Sequence, residues 1–185
     1  MELRPTTIPD CFELIFENRI DERGNFVKTM QSTVFDQMGL ESHFTESFYT
    51  RSGPNVLRGM HLQLAPADGA KLVYCLEGAI LDLALDLRPE SPAFGTICTF
   101  ELSADTPTAA YIPRGVAHGY CVRNAPALVM YYVSSEYNPQ CDTGVRWDSF
   151  GFDWPVADPL LSPRDRALQS FADFTAADFT GAGKD

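Results

Sequence analysis

The chain has 185 residues, 45% of them hydrophobic and 21% charged, which suits one globular domain with a sizeable core and excludes a disordered chain. A formal net charge of −11 argues against nucleic acid or an anionic membrane as partner, and leaves room for an anionic small molecule held by a local cluster of arginines. Residues 1–10 lack a signal-like apolar core, no stretch approaches a membrane span, and Cys11, Cys75, Cys98, Cys121 and Cys141 include no C-x-x-C, so the expectation is a cytoplasmic protein with reduced thiols.

Residues 12–30 read as strand, turn, strand: F-E-L-I-F, then D-E-R-G-N, then F-V-K-T-M. A short helix is expected over 33–39, with Ser32 as cap and Gly39 as stop. Residues 44–50 form a strand rich in aromatics and threonine, and S-G-P-N at 52–55 is a turn. Residues 56–64 and the run from Lys71 to Leu76 read as two strands joined by A-P-A-D-G-A, a loop punctuated by Pro and Gly. Arg58, His61, Gln63 and Lys71 interrupt these otherwise apolar strands. Buried charge is costly unless paired, so either a cavity for an anionic or polarised ligand gathers them, or Arg58 and Lys71 are solvated and His61 is a core histidine. Gly59 bears on this choice. Strict alternation sends Arg58 and His61 to opposite faces, whereas a bulge at Gly59 brings them to one face.

After Gly78, Leu81, Leu83, Leu85 and Leu87 alternate with Asp82, Ala84, Asp86 and Arg88, the period of a strand. Further strands are expected at 95–102, around Tyr111 and Ile112, at 119–122 and at 128–134. Pro-, Gly- and Asp-rich loops follow over 138–165, with Trp147 and Trp154 as packing anchors. A short helix is expected over 166–174 and a tail over 175–185. His43 has no motif around it and reads as surface. Short strands at regular spacing with turn signals between them indicate an all-β sandwich or barrel.

P-x-G-x-x-H-x-x-x-x-x-N at Pro113, Gly115, His118 and Asn124 resembles the second motif of the cupins, small jelly-roll barrels. The first cupin motif usually carries His-x-His and a later Glu before Gly. Here those places read His61, Leu62, Gln63, then Glu77 and Gly78. An amide is a poor ligand for a divalent transition metal, so the triplet argues for no metal and no cofactor.

Within the cupins the chain resembles the dTDP-4-dehydrorhamnose 3,5-epimerases. The resemblance is carried by D-E-R-G-N-F (21–26), N-V-L-R-G-M-H-L-Q (55–63), K-L-V (71–73), D-L-R-P-E-S-P-A-F-G (86–95), P-R-G-V-A-H-G (113–119), M-Y-Y-V-S-S-E-Y-N-P (130–139), F-D-W-P (152–155) and L-L-S-P-R-D (160–165). It implies an all-β cupin jelly-roll barrel with an N-terminal hairpin extension and short C-terminal helices, one domain over 1–185. It also implies His61 as general base, Asp165 as its orienting carboxylate, Tyr131 as acid across the sugar and Lys71 beside Arg58 at the keto oxygen or nearby phosphate. His118 and Tyr137 fall in the same pocket, and Glu46 and Gln63 on its substrate-binding wall. Arg23 and Phe26 match residues that reach the nucleotide, often from the partner subunit of a dimer. The chain departs from the family at Lys28, Glu46, Phe48 and Leu62, where Glu, Gln, Asn and an aromatic are usual. These departures leave the nucleotide (dTDP, CDP or GDP), the sugar and the inverted centre (C3, C5 or both) open.

The chemistry so implied is removal of a proton beside a carbonyl and its return on the opposite face of an enolate. A neutral histidine suits the base, a tyrosine hydroxyl the donor and a cation the growing oxyanion. Three alternatives stand beside it: a metal-dependent cupin enzyme, a non-catalytic nucleotide-sugar-binding cupin, and a mono-epimerase acting on a CDP- or GDP-linked 4-keto sugar.

Overall fold

The computed structural model describes residues 1–123 and 125–180; Asn124 of the cupin-like motif and residues 181–185 lie outside these. In chain order the elements are β1 (Glu2–Pro5), β2 (Phe12–Ile15), β3 (Asn18–Asp21), β4 (Gly24–Val27), α1 (Ser32–Gln37), β5 (Glu46–Ser52), β6 (Leu57–Gln63), β7 (Lys71–Glu77), β8 (Ala79–Asp86), β9 (Ile97–Ser103), β10 (Thr108–Ile112), β11 (Val116–Val122), β12 (Ala127–Val133), β13 (Asp142–Gly144), α2 (Pro163–Arg166), a 3₁₀ turn (Phe171–Asp173) and α3 (Ala176–Thr180). One sheet runs β1-β2-β10-β7-β12-β5 and the facing sheet β13-β6-β11-β8-β9, with β3 and β4 paired apart as a hairpin. Pairing is antiparallel throughout both sheets, giving the jelly-roll barrel expected.

The strand alternation sorts side chains into three layers. Between the sheets lie Val73, Cys75, Ala84, Tyr120, Val129, Tyr131 and Val133. Outside the five-stranded sheet, Leu81, Leu83, Leu85 and Leu87 pack under Trp154, Val156 and Phe174 of the C-terminal segment. Outside the six-stranded sheet, Leu14, Leu72 and Tyr74 pack with Phe35 of α1. Every residue from Ile80 to Asp86 is therefore buried. The acids of the alternating strand do not face solvent: Asp86 accepts from Arg88 and Ser91, and Asp82 faces the barrel interior.

Several sequence expectations are corrected. Residues 12–30 are not one hairpin, since β2 joins the main sheet while β3 and β4 form the separate one. Strands β1 and β13 were not foreseen; each is short and borrows its order from a neighbour, β2 or β6. Helix α1 starts a residue early, behind Gln31, whose side chain makes no capping bond. The helix expected over 166–174 is replaced by α2 and the 3₁₀ turn, because Ser162 and Ser170 cap those starts instead. The expected tail contains α3, over Ala176–Thr180.

Candidate active site

Three cations (Arg58, Lys71 and Arg164), two histidines (His61 and His118) and three tyrosines (Tyr120, Tyr131 and Tyr137) line a cavity of about 270 Å³ between the sheets, beside Glu46 and Phe48. Each arrives for a local reason. On β5 the residues Glu46, Phe48 and Thr50 share one face by alternation. On β6 the register against β11 slips, His118 pairing with His61 but Tyr120 with Arg58. This bulge turns both Arg58 and His61 inward. Gly59 sits in it with φ +121°, and a Cβ there would stand 2.5 Å from Gly119 Cα, so the close approach of β6 and β11 requires glycine.

His61 Nε2 lies 2.5 Å from Asp165 Oδ1, across 104 residues of chain. The S-P-R-D start of α2 holds the carboxylate in place: Ser162 accepts from the Asp165 N–H and Pro163 occupies the first turn, the preferred chemistry of a helix start. Backbone bonds Leu57 N–H to Leu160 O and Leu160 N–H to Asn55 O stitch the segment before α2 to the start of β6. With Nε2 donating to Asp165, Nδ1 is the nitrogen left to take a proton. Burial pushes the His61 pKa down and outweighs the upward pull of Asp165, with Arg164 and Lys71 pushing the same way as burial. Burial thus favours the neutral ring, the form that can accept a proton. Burial acts to raise the Asp165 pKa, but the hydrogen bonds from His61 and Ser162 overcome it and hold the carboxylate below its usual range.

Lys71 opens β7 and its ammonium donates to the His61 carbonyl at 3.0 Å. Burial lowers its pKa to about 8, against the opposing fields of Asp142 and Asp82. Tyr131, on β12 of the six-stranded sheet, is 6% exposed and stacks on Phe48 with ring centroids 4.7 Å apart and planes 14° from parallel. Burial raises its pKa well above 10, with Arg58 and the Thr50 hydroxyl acting the other way. His118 meets Tyr131 edge-on at 5.8 Å, and its Nε2 lies 2.7 Å from Asp82 Oδ2. The other oxygen, Asp82 Oδ1, has no hydrogen-bond partner among the described residues.

The remaining expected residues divide. Glu46 accepts from the Tyr137 N–H at 2.8 Å, so the two hold the loop after β12 across the mouth. Gln63 reaches the cavity wall, but its amide is engaged with the backbone of Ala67, Glu136 and Asn138. Arg23 and Phe26 stand on the β3–β4 hairpin, outside this cavity. The Arg23 side chain is 86% exposed and pairs with Asp21, and Phe26 is 58% exposed. Glu77, at the cupin carboxylate position, pairs with Arg51 on the surface. Among the described residues no group of three or more His, Cys, Asp or Glu side chains could hold a metal ion. Sequence reasoning missed Thr50, Asp82, Tyr120, Asp142 and Arg164. The signal for Asp82 was present, an acid beside leucines in a strand buried on both faces; Asp142 and Arg164 carried none, since they stand on the three-residue β13 and the one-turn α2, elements too short to show a period.

Comparison with known proteins agrees with this geometry. The family model described as dTDP-4-dehydrorhamnose 3,5-epimerase matches residues 5–173. A dTDP-4-dehydrorhamnose 3,5-epimerase of Shigella flexneri is 38% identical over 178 residues, covering 94% of this chain and 97% of that one. The crystal structure of the Elizabethkingia anophelis dTDP-4-dehydrorhamnose 3,5-epimerase superposes with a TM-score of 0.89 at 37% identity, over 94% of this chain and 97% of that one. That of a Legionella pneumophila dTDP-6-deoxy-D-glucose-3,5-epimerase, in complex with dTDP-4-keto-L-rhamnose, superposes with a TM-score of 0.91 at 30% identity over 96% of both chains. A jelly-roll barrel, a carboxylate-held histidine, a buried lysine and a buried tyrosine in one cavity, and a family match across nearly the whole chain lead to one conclusion: the chain belongs to the dTDP-4-dehydrorhamnose 3,5-epimerase family and is a deoxysugar epimerase.

Proposed function

We propose that the chain inverts C3 and C5 of a dTDP-linked 4-keto-6-deoxy sugar through an enolate. One observation carries the reading: the base and the donor enter the cavity from opposite sheets, His61 from β6 and Tyr131 from β12. A sugar ring lying between them meets a base on one face and a proton on the other, which inversion demands. At each carbon in turn His61 takes the proton at Nδ1, Lys71 faces the oxyanion, and Tyr131 returns a proton from the far side; exchange with water strips His61 and reprotonates Tyr131 before the second carbon reacts. Each step at the sugar needs only side chains of this chain. A nucleotide-sugar sensor has no use for a base and a donor on opposite faces. In heavy water, with a panel of dTDP-, CDP- and GDP-linked 4-keto-6-deoxy sugars, NMR is expected to show deuterium entering C3 and C5 and inversion at both with the dTDP substrate. Exchange without inversion, or none with any member, would overturn the reading, and exchange at one carbon alone would reduce it to a mono-epimerase.

We further propose a cytoplasmic homodimer in which the β3–β4 hairpin reaches the partner's site. Every residue of β3 is exposed, as is all of β4 but Val27, and the hairpin carries Ile20, 75% exposed, and Phe26. Two strands alone are marginally stable and leave open edges, and a second copy related by a two-fold axis covers both. Arg23, at the hairpin tip, then supplies a cation to the nucleotide. Five free thiols suit a reducing compartment. Light scattering at micromolar concentration is expected to give twice the 20.5 kDa of one chain; a fully active monomer would exclude the exchanged hairpin.

A further inference from the structure

Cys11 and Cys98 stand 87 residues apart in the chain, yet their Sγ atoms lie 3.8 Å from each other. The fold brings them together from different sheets. Cys11 ends the turn between β1 and β2, which the Thr6 hydroxyl holds through the Ile8 and Cys11 carbonyls. Cys98 lies on β9, the edge strand of the five-stranded sheet, while β2 belongs to the six-stranded one. Cys98 is paired with Ala84 of β8, and both side chains pack into the barrel interior, where Cys11 also lies. The two thiols thus meet at the seam between the sheets, beside a bond from the Thr7 hydroxyl to the Ile97 carbonyl.

Their surroundings differ. Cys11 has no exposed surface. Cys98 is only half-buried and lines a surface groove with Arg4, Thr7, Glu13 and Thr99, so a reagent from solvent reaches it first. The hydrogen bond with Cys11 lowers the Cys98 pKa, Thr6 acting the same way and burial and Asp82 against it. That bond and burial push Cys11 up. The thiolate is the nucleophile, and Cys98 is the thiol in which it is favoured. The other three cysteines are buried, and burial raises Cys75 and takes Cys121 to about 11.

We propose that Cys11 and Cys98 are a redox-active dithiol, Cys98 the thiol that reacts with a hydroperoxide and Cys11 its resolving partner, and that their disulfide staples the two sheets. The Cys98 sulfur attacks a peroxide oxygen. The O–O bond breaks, Cys98 becomes a sulfenic acid, and the alcohol leaves with the former Cys98 proton. The Cys11 sulfur then attacks the Cys98 sulfur. The S–O bond breaks, the S–S bond forms, and water leaves with the Cys11 proton. Two thiols and one hydroperoxide give one disulfide, one alcohol and one water. Closing 3.8 Å to a bond of about 2 Å is within the sweep of the two side chains, and a thiol reductant reverses the reaction.

The full chain, reduced and then treated with a small excess of hydrogen peroxide, is alkylated under denaturing conditions and read by mass spectrometry. Three of the five cysteines are expected to carry the label. The digest should hold a Cys11–Cys98 linked peptide that dithiothreitol releases. The link ties residues 87 apart, so the oxidised protein should melt about 10 °C above the reduced one. In Cys11→Ser, Cys98 should stop at the sulfenic acid and be trapped by dimedone. In Cys98→Ser, Cys11 should remain a thiol. If either variant fails to fold, the wild-type measurements decide alone. Five labelled cysteines after peroxide, a wild-type Cys98 sulfenic acid that does not close, or a link to Cys75, Cys121 or Cys141 overturns the dithiol. A Cys11–Cys98 link that leaves the melting temperature unchanged overturns the staple.

Discussion

His61→Asn is expected to lower exchange of the sugar C3 and C5 protons with heavy water by about 10³-fold, within the range ascribed to a positioned general base. The amide keeps much of the ring's bulk but cannot take a proton, so no enolate forms and inversion falls by the same factor. Asp165→Asn should act in the same direction. The 2.5 Å bond to His61 Nε2 assigns the ring its tautomer, and an amide partner can turn its NH₂ toward that nitrogen and move the proton to Nδ1, where the base must be empty. Tyr131→Phe should differ in kind, keeping exchange while losing most inversion, because the enolate still forms on the His61 face and lacks only its far-side donor. Exchange at the wild-type rate in His61→Asn would transfer the role to His118, which stands in the same cavity but has its Nε2 engaged with Asp82.

Lys71→Ala is expected to lower turnover by about 10²-fold or more, the loss seen when one preorganised oxyanion donor is removed, while nucleotide affinity changes little. The lysine supplies both charge and position: its ammonium is fixed to the His61 carbonyl and held among low-dielectric walls. Its pKa, lowered to about 8 by burial, gives the sign of the pH dependence. Below about 8 the ammonium faces the oxyanion; above it the amine is neutral, so wild-type turnover should fall as pH rises through that value. At the acidic end turnover falls once His61, whose pKa is below its ordinary value, becomes protonated. Lys71→Ala should keep the acidic limb and lose the one near 8. A nucleotide affinity that drops as far as turnover would assign Lys71 to the phosphates instead.

The assignments of His61, Lys71, Tyr131 and Asp165 came from family motifs rather than from their own environments. On pattern alone His61 reads equally well as a core histidine, Tyr131 as a core aromatic and Asp165 as a turn residue. What the structure adds is convergence: all but Asp165 line one cavity, and Asp165 bonds His61 from behind. Arg23 and Phe26 do not join them within one chain, which is why the proposed dimer matters to the proposed site.

The cupin barrel came from the family motifs. The strand periods and turn punctuation were sufficient by themselves for an all-β sandwich or barrel, and the glycine inside β6 for a bulge as one of two ways to orient Arg58 and His61. These are local properties, because alternation and glycine's φ range act within a few residues. Three features belong to the tertiary structure alone. The leucines of β8 face outward under the C-terminal segment while its Asp82 faces in, since which face of a doubly covered strand is the barrel interior depends on what packs against it. Asp165 meets His61 because the loop before α2 is stitched to the start of β6. The hydrogen-bonded row from Arg58 through Ser52 and Tyr120 to Thr50 joins three strands, β6, β5 and β11, drawn from both sheets. Hydrogen bonds between side chains so far apart in the chain depend on distances of tenths of an ångström, which no sequence period encodes.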